Sequence, residues 1–131
     1  MKTKIAVYGT LKKDFGNHRL LDKDPLYKGY VGVDRVAGHG FPIMKLGDKY
    51  KLLVEVYEVD DEELRRVDSL EGYSEGHTPH FYNRVLTDVT SLDDGSVDQV
   101  FIYEYVSDVA DNTNEICEEI LPNILSWIGY K

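Results

Sequence analysis

A single cysteine, Cys117, stands in this 131-residue chain. No internal disulfide can form, and the sequence suits a reducing compartment. Long apolar runs are also missing. None approaches the roughly 20 residues of a membrane-spanning helix, and the apolar stretch after Met1-Lys2-Thr3-Lys4 is too short for a signal peptide. A cytoplasmic protein with no membrane partner is therefore expected. Positive charge is scarce: 15 Lys and Arg against 24 Asp and Glu leave a net charge of −9. That balance argues against a nucleic-acid partner, whose phosphates must be neutralised. Linkers, repeats and low-complexity segments are absent, so residues 1–131 read as one domain, long enough to bury a core. A mean hydropathy of −0.38 with 42% hydrophobic residues fits a soluble globular chain.

The apolar patterning predicts strands first, then a helix, more strands and a last helix. Lys4–Gly9 reads as a short buried strand, and Leu26–Val36 and Phe41–Leu46 as strands separated by a Gly38-His39-Gly40 turn. In Tyr50–Val59, Leu52, Val54 and Val56 alternate with charged Lys51 and Glu55, the pattern of a half-buried strand. Asp60 with Glu63 forms a capping box ahead of a helix whose Leu64, Val67 and Leu70 share a face. Tyr82–Thr90 and Val97–Val106 flank Leu92-Asp93-Asp94-Gly95-Ser96, where Asp-Gly signals a hairpin. Asn112 and Glu115 open a last helix carrying Ile116, Ile120, Leu121, Ile124 and Trp127, with Pro122 predicting a kink or break. The class is α+β, and consecutive antiparallel strands favour a small closed or nearly closed barrel. Periodicity alone leaves an open sheet with helices on one face as the alternative.

Three motifs carry the chemistry. Tyr8-Gly9-Thr10-Leu11 follows the first apolar run. A strand stopping in Gly-Thr leaves consecutive N–H groups at a sharp turn, suited to a carboxylate. Leu70-Glu71-Gly72-Tyr73 follows at the end of the mid-chain helix, and then Tyr82-Asn83-Arg84. Taken in this order, the set resembles the gamma-glutamylcyclotransferase-like proteins, in particular the gamma-glutamylamine cyclotransferase branch, from about residue 4 to about residue 106. Asn17-His18-Arg19 is similar to that family's N-H-R segment, whereas the stretch from Asp111 onward is not matched to a family pattern in this reading. The resemblance implies a small mixed β-barrel with helices packed outside and the site at one rim. It also implies an enzyme that releases 5-oxoproline from a small gamma-glutamyl substrate. Tyr8, Gly9, Thr10 and Leu11 would hold the alpha-amino-acid end, and Glu71 would act as general acid and base.

Such a reaction asks little of a protein. The substrate's own alpha-amine attacks its gamma-carbonyl and closes a five-membered ring; well-oriented intramolecular reactions reach effective molarities of roughly 10⁵–10⁸ M. One carboxyl can take the proton from the ammonium and return it to the departing amine, a contribution on the order of 10²–10⁴. No metal, cofactor or enzyme nucleophile is required. Glu71 follows the last apolar turn of its helix, where the negative end of the dipole disfavours a carboxylate. Leu70 and Tyr73 would add desolvation, and both effects raise a carboxyl pKa toward working pH.

Competing readings attach to the same residues. Glu71 also fits an ordinary surface glutamate before a Gly72 C-cap. Gly72-Tyr73-Ser74-Glu75-Gly76 matches the nucleophile elbow of serine hydrolases, with His77 or His80 as base, but an elbow needs a strand before it and a helix after it. His77 and His80 lack a third metal ligand at a recognisable spacing, and His39 reads as a loop residue. Tyr82 and Arg84, two apart on one strand, face the same side. Tyr82 leans toward the substrate, and Arg84 serves equally well at the site or in an ion pair with a surface acid. Tyr103 is a candidate pocket wall from the neighbouring strand, and His18 a candidate beside the binding loop. Cys117 reads as packing. A protein of the same fold that binds a gamma-glutamyl or carboxylate ligand without turnover is the remaining alternative.

Overall fold

The computed structural model describes residues 2–8, 24–37, 43–71, 82–105, 111 and 113–127. Strand β1 (Thr3–Val7) is followed by β2 (Tyr27–Ala37), β3 (Ile43–Val59), helix α1 (Asp61–Glu71), β4 (Tyr82–Ser91) and β5 (Val97–Tyr105). A four-residue helix α2 (Thr113–Ile116) and strands β6 (Cys117–Leu121) and β7 (Ile124–Trp127) complete the order. The strands lie in the sequence β1-β5-β4-β2-β3-β7-β6, and an added β1–β3 pairing closes the first five into a barrel. The barrel is mixed: β1 runs parallel to β5, while the β1–β3, β2–β3, β2–β4 and β4–β5 pairs are antiparallel. Closure depends on the length of β3, which offers Lys51 and Leu52 to β7 and Glu55–Val59 to β1 along one edge.

Alternation along the strands sorts the apolar side chains into two cores. Ala6, Val31, Val54, Val56, Val89, Val100 and Ile102, drawn from all five barrel strands, fill the interior, with Ile116 and Trp127 packed onto the same cluster. The intervening residues Ile5, Val7, Tyr57, Val59, Tyr82 and Tyr103 face outward and are covered with Val67 of α1. The capping box forms as the sequence implies. The Asp60 N–H donates to Glu63 Oε1 at 3.1 Å, and the Glu63 N–H donates to Asp60 Oδ1 at 2.8 Å. That second bond is the main reason the Asp60 carboxyl is held below its usual range. The β4–β5 hairpin turns where Asp94-Gly95 predicts, with Gly95 at φ 74° and the Ser91 N–H donating to the Ser96 carbonyl at 2.8 Å.

Three expectations are corrected. The final helix from Asn112 to Trp127 is not formed: after α2 the chain makes the β6–β7 hairpin, with Cys117 opposite Trp127 and Glu119 opposite Leu125. Pro122 cannot continue a helix, and Asn123 at φ 68° takes the left-handed turn conformation that asparagine tolerates. Apolar spacing that fits one helical face is therefore divided. Ile124 and Trp127 are buried, while Ile120 and Leu121 remain exposed. Phe41–Leu46 and Tyr50–Val59 are not separate strands either. Ile43–Leu46, the described part of the first, and Tyr50–Val59 both belong to β3, and between them lies a register shift in which Val33 of β2 faces both Leu46 and Tyr50. Glu55, read as the solvent side of a half-buried strand, is buried at 4% exposure. Its Oε1 accepts a hydrogen bond from the Tyr57 hydroxyl at 2.8 Å, and the outer face of β3 at this point is covered.

Candidate active site at the shared end of β1 and α1

Strand directions bring the described motif residues toward one end of the barrel. Because β1 and β5 are parallel, Tyr8 after β1 and Tyr103–Tyr105 of β5 lie toward the same end of the barrel. Antiparallel pairing sets Tyr82 of β4 opposite Tyr105, and Arg84 opposite Tyr103. Helix α1 packs its Val67 on this outer face and ends at Glu71. Four elements thus converge at one rim.

Tyr8 is buried with the interior core, and its hydroxyl donates to the Tyr103 carbonyl at 2.8 Å. Tyr82 is 6% exposed within the outer core, meeting the Tyr105 ring edge-on at a centroid distance of 5.7 Å. Tyr103 is buried, and its hydroxyl donates to Asp68 Oδ1 at 2.5 Å. Arg84 Nη1 donates to Asp68 Oδ2 at 2.6 Å, and its guanidinium stands 5.4 Å from the centre of the Phe101 ring, within range of a cation–π contact. Of the two readings for Arg84, the ion pair is present, and its carboxylate belongs to the helix that ends at Glu71.

Asp68 is the residue that sequence reasoning missed. A signal for it existed. Helix α1 carries no basic residue in its last turn, so a carboxylate there opposes the dipole without local compensation and calls for a cation from elsewhere in the fold. Gly9, Thr10, Leu11, His18, His39, Ser74, His77 and His80 lie outside the described residues, as does the side chain of Glu71. The segment leading into Gly72 is helix α1 rather than a strand, contrary to what a nucleophile elbow requires. Among the described residues no group of three His, Cys, Asp or Glu is placed to hold a metal ion. A groove of about 480 Å³ is lined by residues that include Lys49, Lys51, Asn114 and Glu119. It borders the C-terminal hairpin and contains none of the motif residues. No described helix is long and apolar enough to cross a membrane.

The family model described as "Gamma-glutamyl cyclotransferase, AIG2-like" matches residues 5–121. A Methanocaldococcus jannaschii protein, provisionally named a gamma-glutamylcyclotransferase, is 31% identical over 77% of this chain and 82% of its own. The gamma-L-glutamyl-butirosin B gamma-glutamyl cyclotransferase of Niallia circulans is 30% identical over 76% of this chain and 65% of its own. Among solved structures, an AIG2-like protein from Mus musculus superposes with a TM-score of 0.68 at 29% identity, covering 82% of this chain and 80% of that one.

Proposed function

The chain belongs to the gamma-glutamyl cyclotransferase, AIG2-like family, and on that premise we propose that it cyclises a small gamma-glutamyl substrate and releases 5-oxoproline. In this reading the substrate's alpha-amine attacks the gamma-carbonyl carbon and forms the ring C–N bond. The bond from that carbon to the leaving nitrogen breaks. Glu71 removes the proton lost by the attacking amine and delivers one to the departing nitrogen, so the protein ends each cycle unchanged. Tyr8, Gly9, Thr10 and Leu11 hold the alpha-amino-acid end, and Tyr82 is a further residue assigned to substrate binding.

The observation that carries this reading is that α1 closes at Glu71 at the barrel end where Tyr8 leaves β1 and where the Tyr8 hydroxyl meets β5. Tyr8 and the end of α1, more than sixty positions apart in the sequence, thereby lie toward one rim, which supports the reading. Glu71→Gln tests it. The amide keeps size and hydrogen-bonding capacity but cannot carry the proton, so kcat for 5-oxoproline release should fall by about 10² or more with KM nearly kept. A folded variant, verified by its thermal melt, that turns over at the wild-type rate removes Glu71 from the reaction.

A further inference from the structure

We propose that Asp68 is a positioning residue for this reaction: it clamps the last turn of α1, and with it position 71, to the strand ends beside Tyr8. The inference rests on the cyclotransferase reading above.

Both carboxylate oxygens of Asp68 are engaged, and by different strands. Oδ2 accepts from Arg84 of β4 at 2.6 Å and Oδ1 from the Tyr103 hydroxyl of β5 at 2.5 Å. The pair is largely removed from solvent, with the Arg84 and Asp68 side chains 14% and 17% exposed. It is therefore held in one geometry rather than exchanging with water as exposed pairs do. Tyr103 extends the connection, because its backbone carbonyl accepts the Tyr8 hydroxyl at 2.8 Å. A hydrogen-bonded path thus runs from the final turn of α1, through Asp68 and Tyr103, to the residue from which the chain enters Gly9-Thr10-Leu11. Helix stability does not account for Asp68, since an acid in the last turn opposes the dipole and the turn has no basic residue to offset it. Alignment does account for it. A proton-transfer group and a substrate held by a separate loop must meet within fractions of an ångström, and misplacement by about 1 Å can cost about 10²-fold in rate.

An internal control is available at the other end of the same two strands. Asp98, near the start of β5, likewise accepts from two partners, Lys4 Nζ of β1 and the Tyr27 hydroxyl, each at 3.0 Å, but it lies away from the rim. The experiment measures 5-oxoproline release from gamma-glutamyl-ε-lysine, or from the gamma-glutamyl amine that the wild type turns over fastest. Tyr103→Phe, Asp68→Asn, their combination, Asp98→Asn and Glu71→Gln are compared well below their melting temperatures. Expected is a kcat lowered by about tenfold or more in Tyr103→Phe and Asp68→Asn with KM within about twofold, and a double variant no slower than Asp68→Asn alone. Asp98→Asn should keep its kcat. Should Asp68→Asn fail to fold, Tyr103→Phe decides, because it removes one oxygen and leaves the Asp68–Arg84 pair in place. Folded clamp variants with wild-type kcat, or with losses no larger than that of Asp98→Asn, overturn the clamp while an inactive Glu71→Gln leaves the cyclotransferase reading standing. A Glu71→Gln protein that turns over at the wild-type rate removes Glu71 from the reaction and the clamp with it, whereas a wild type that releases no 5-oxoproline overturns the cyclotransferase reading itself.

Discussion

Four carboxylates of this chain differ by what surrounds them rather than by type. Glu55 is buried on the outer face of β3, and the neighbouring Tyr57 phenol is pushed above its ordinary pKa, chiefly by burial and then by its bond to Glu55. Asp68 is bound by an arginine and a tyrosine, Asp98 by a lysine and a tyrosine. Glu71, at the helix terminus, is the one assigned to proton transfer in our reading. Binding in that reading belongs to the loop after Tyr8. Thr10→Val exchanges a hydroxyl for a methyl of nearly equal size, so a donor to the substrate is lost without lost volume. KM should rise by about tenfold, within the range for a hydrogen bond to a charged group, with the thermal melt unchanged. An unaltered KM would show that Thr10 is only the end of a strand.

The C-terminal segment shows how an element is attached. Asp111 Oδ1 accepts from the Thr113 hydroxyl at 2.6 Å and from its N–H at 3.1 Å, and the Thr113 oxygen in turn accepts the Val36 N–H of β2 at 2.9 Å. Lys49 Nζ reaches Asp111 Oδ2 at 3.1 Å. The Thr113 hydroxyl bond is the leading reason that the Asp111 carboxyl is held down to about 2, followed by the Thr113 N–H and then Lys49. A carboxyl whose folded pKa lies below its unfolded value of about 3.9 contributes stability above that value. The contribution is lost as pH falls from about 4 toward about 2. Melting temperature should therefore fall through this window, and Asp111→Asn should make the fall shallower. The difference is modest because the Lys49 pair is exposed and screened. Parallel melting curves for wild type and Asp111→Asn from pH 5 to 2 would count against the latch.

At the scale of the whole molecule, closing the barrel requires one very near approach. Among the described residues β2 meets β4 through Gly29 opposite Ser91 and Tyr30 opposite Thr90. A Cβ on Gly29 would stand 2.5 Å from the Thr90 carbonyl oxygen, and because that atom is backbone, the two strands would have to separate. Gly29→Ala should destabilise the fold by about 1–3 kcal/mol, the usual cost of overpacking. This seam lies at the end of β4 remote from Tyr82, so kcat per folded molecule should hold. Equal melting temperatures for Gly29→Ala and wild type would mean that the seam opens without cost.

Features complete within a few residues were legible in the amino-acid order. The Asp60–Glu63 box is satisfied across three positions, the Asp94-Gly95 turn is closed by groups within a few residues, and the shared inward facing of Leu52, Val54 and Val56 follows from the pleat. Those signals suffice for an α+β chain with a mid-chain helix ending at Glu71. Partners far away in sequence decided the rest. Pairing of Ile124 with Lys51 of β3 made strands of a segment with helical spacing, and cover on the outer face buried Glu55. Asp68 finds Arg84 16 residues on and Tyr103 35 residues on, and Tyr8 reaches Tyr103 across 95. A hydrogen bond depends on distance in space, and only the closed barrel brings those positions within 3 Å of one another.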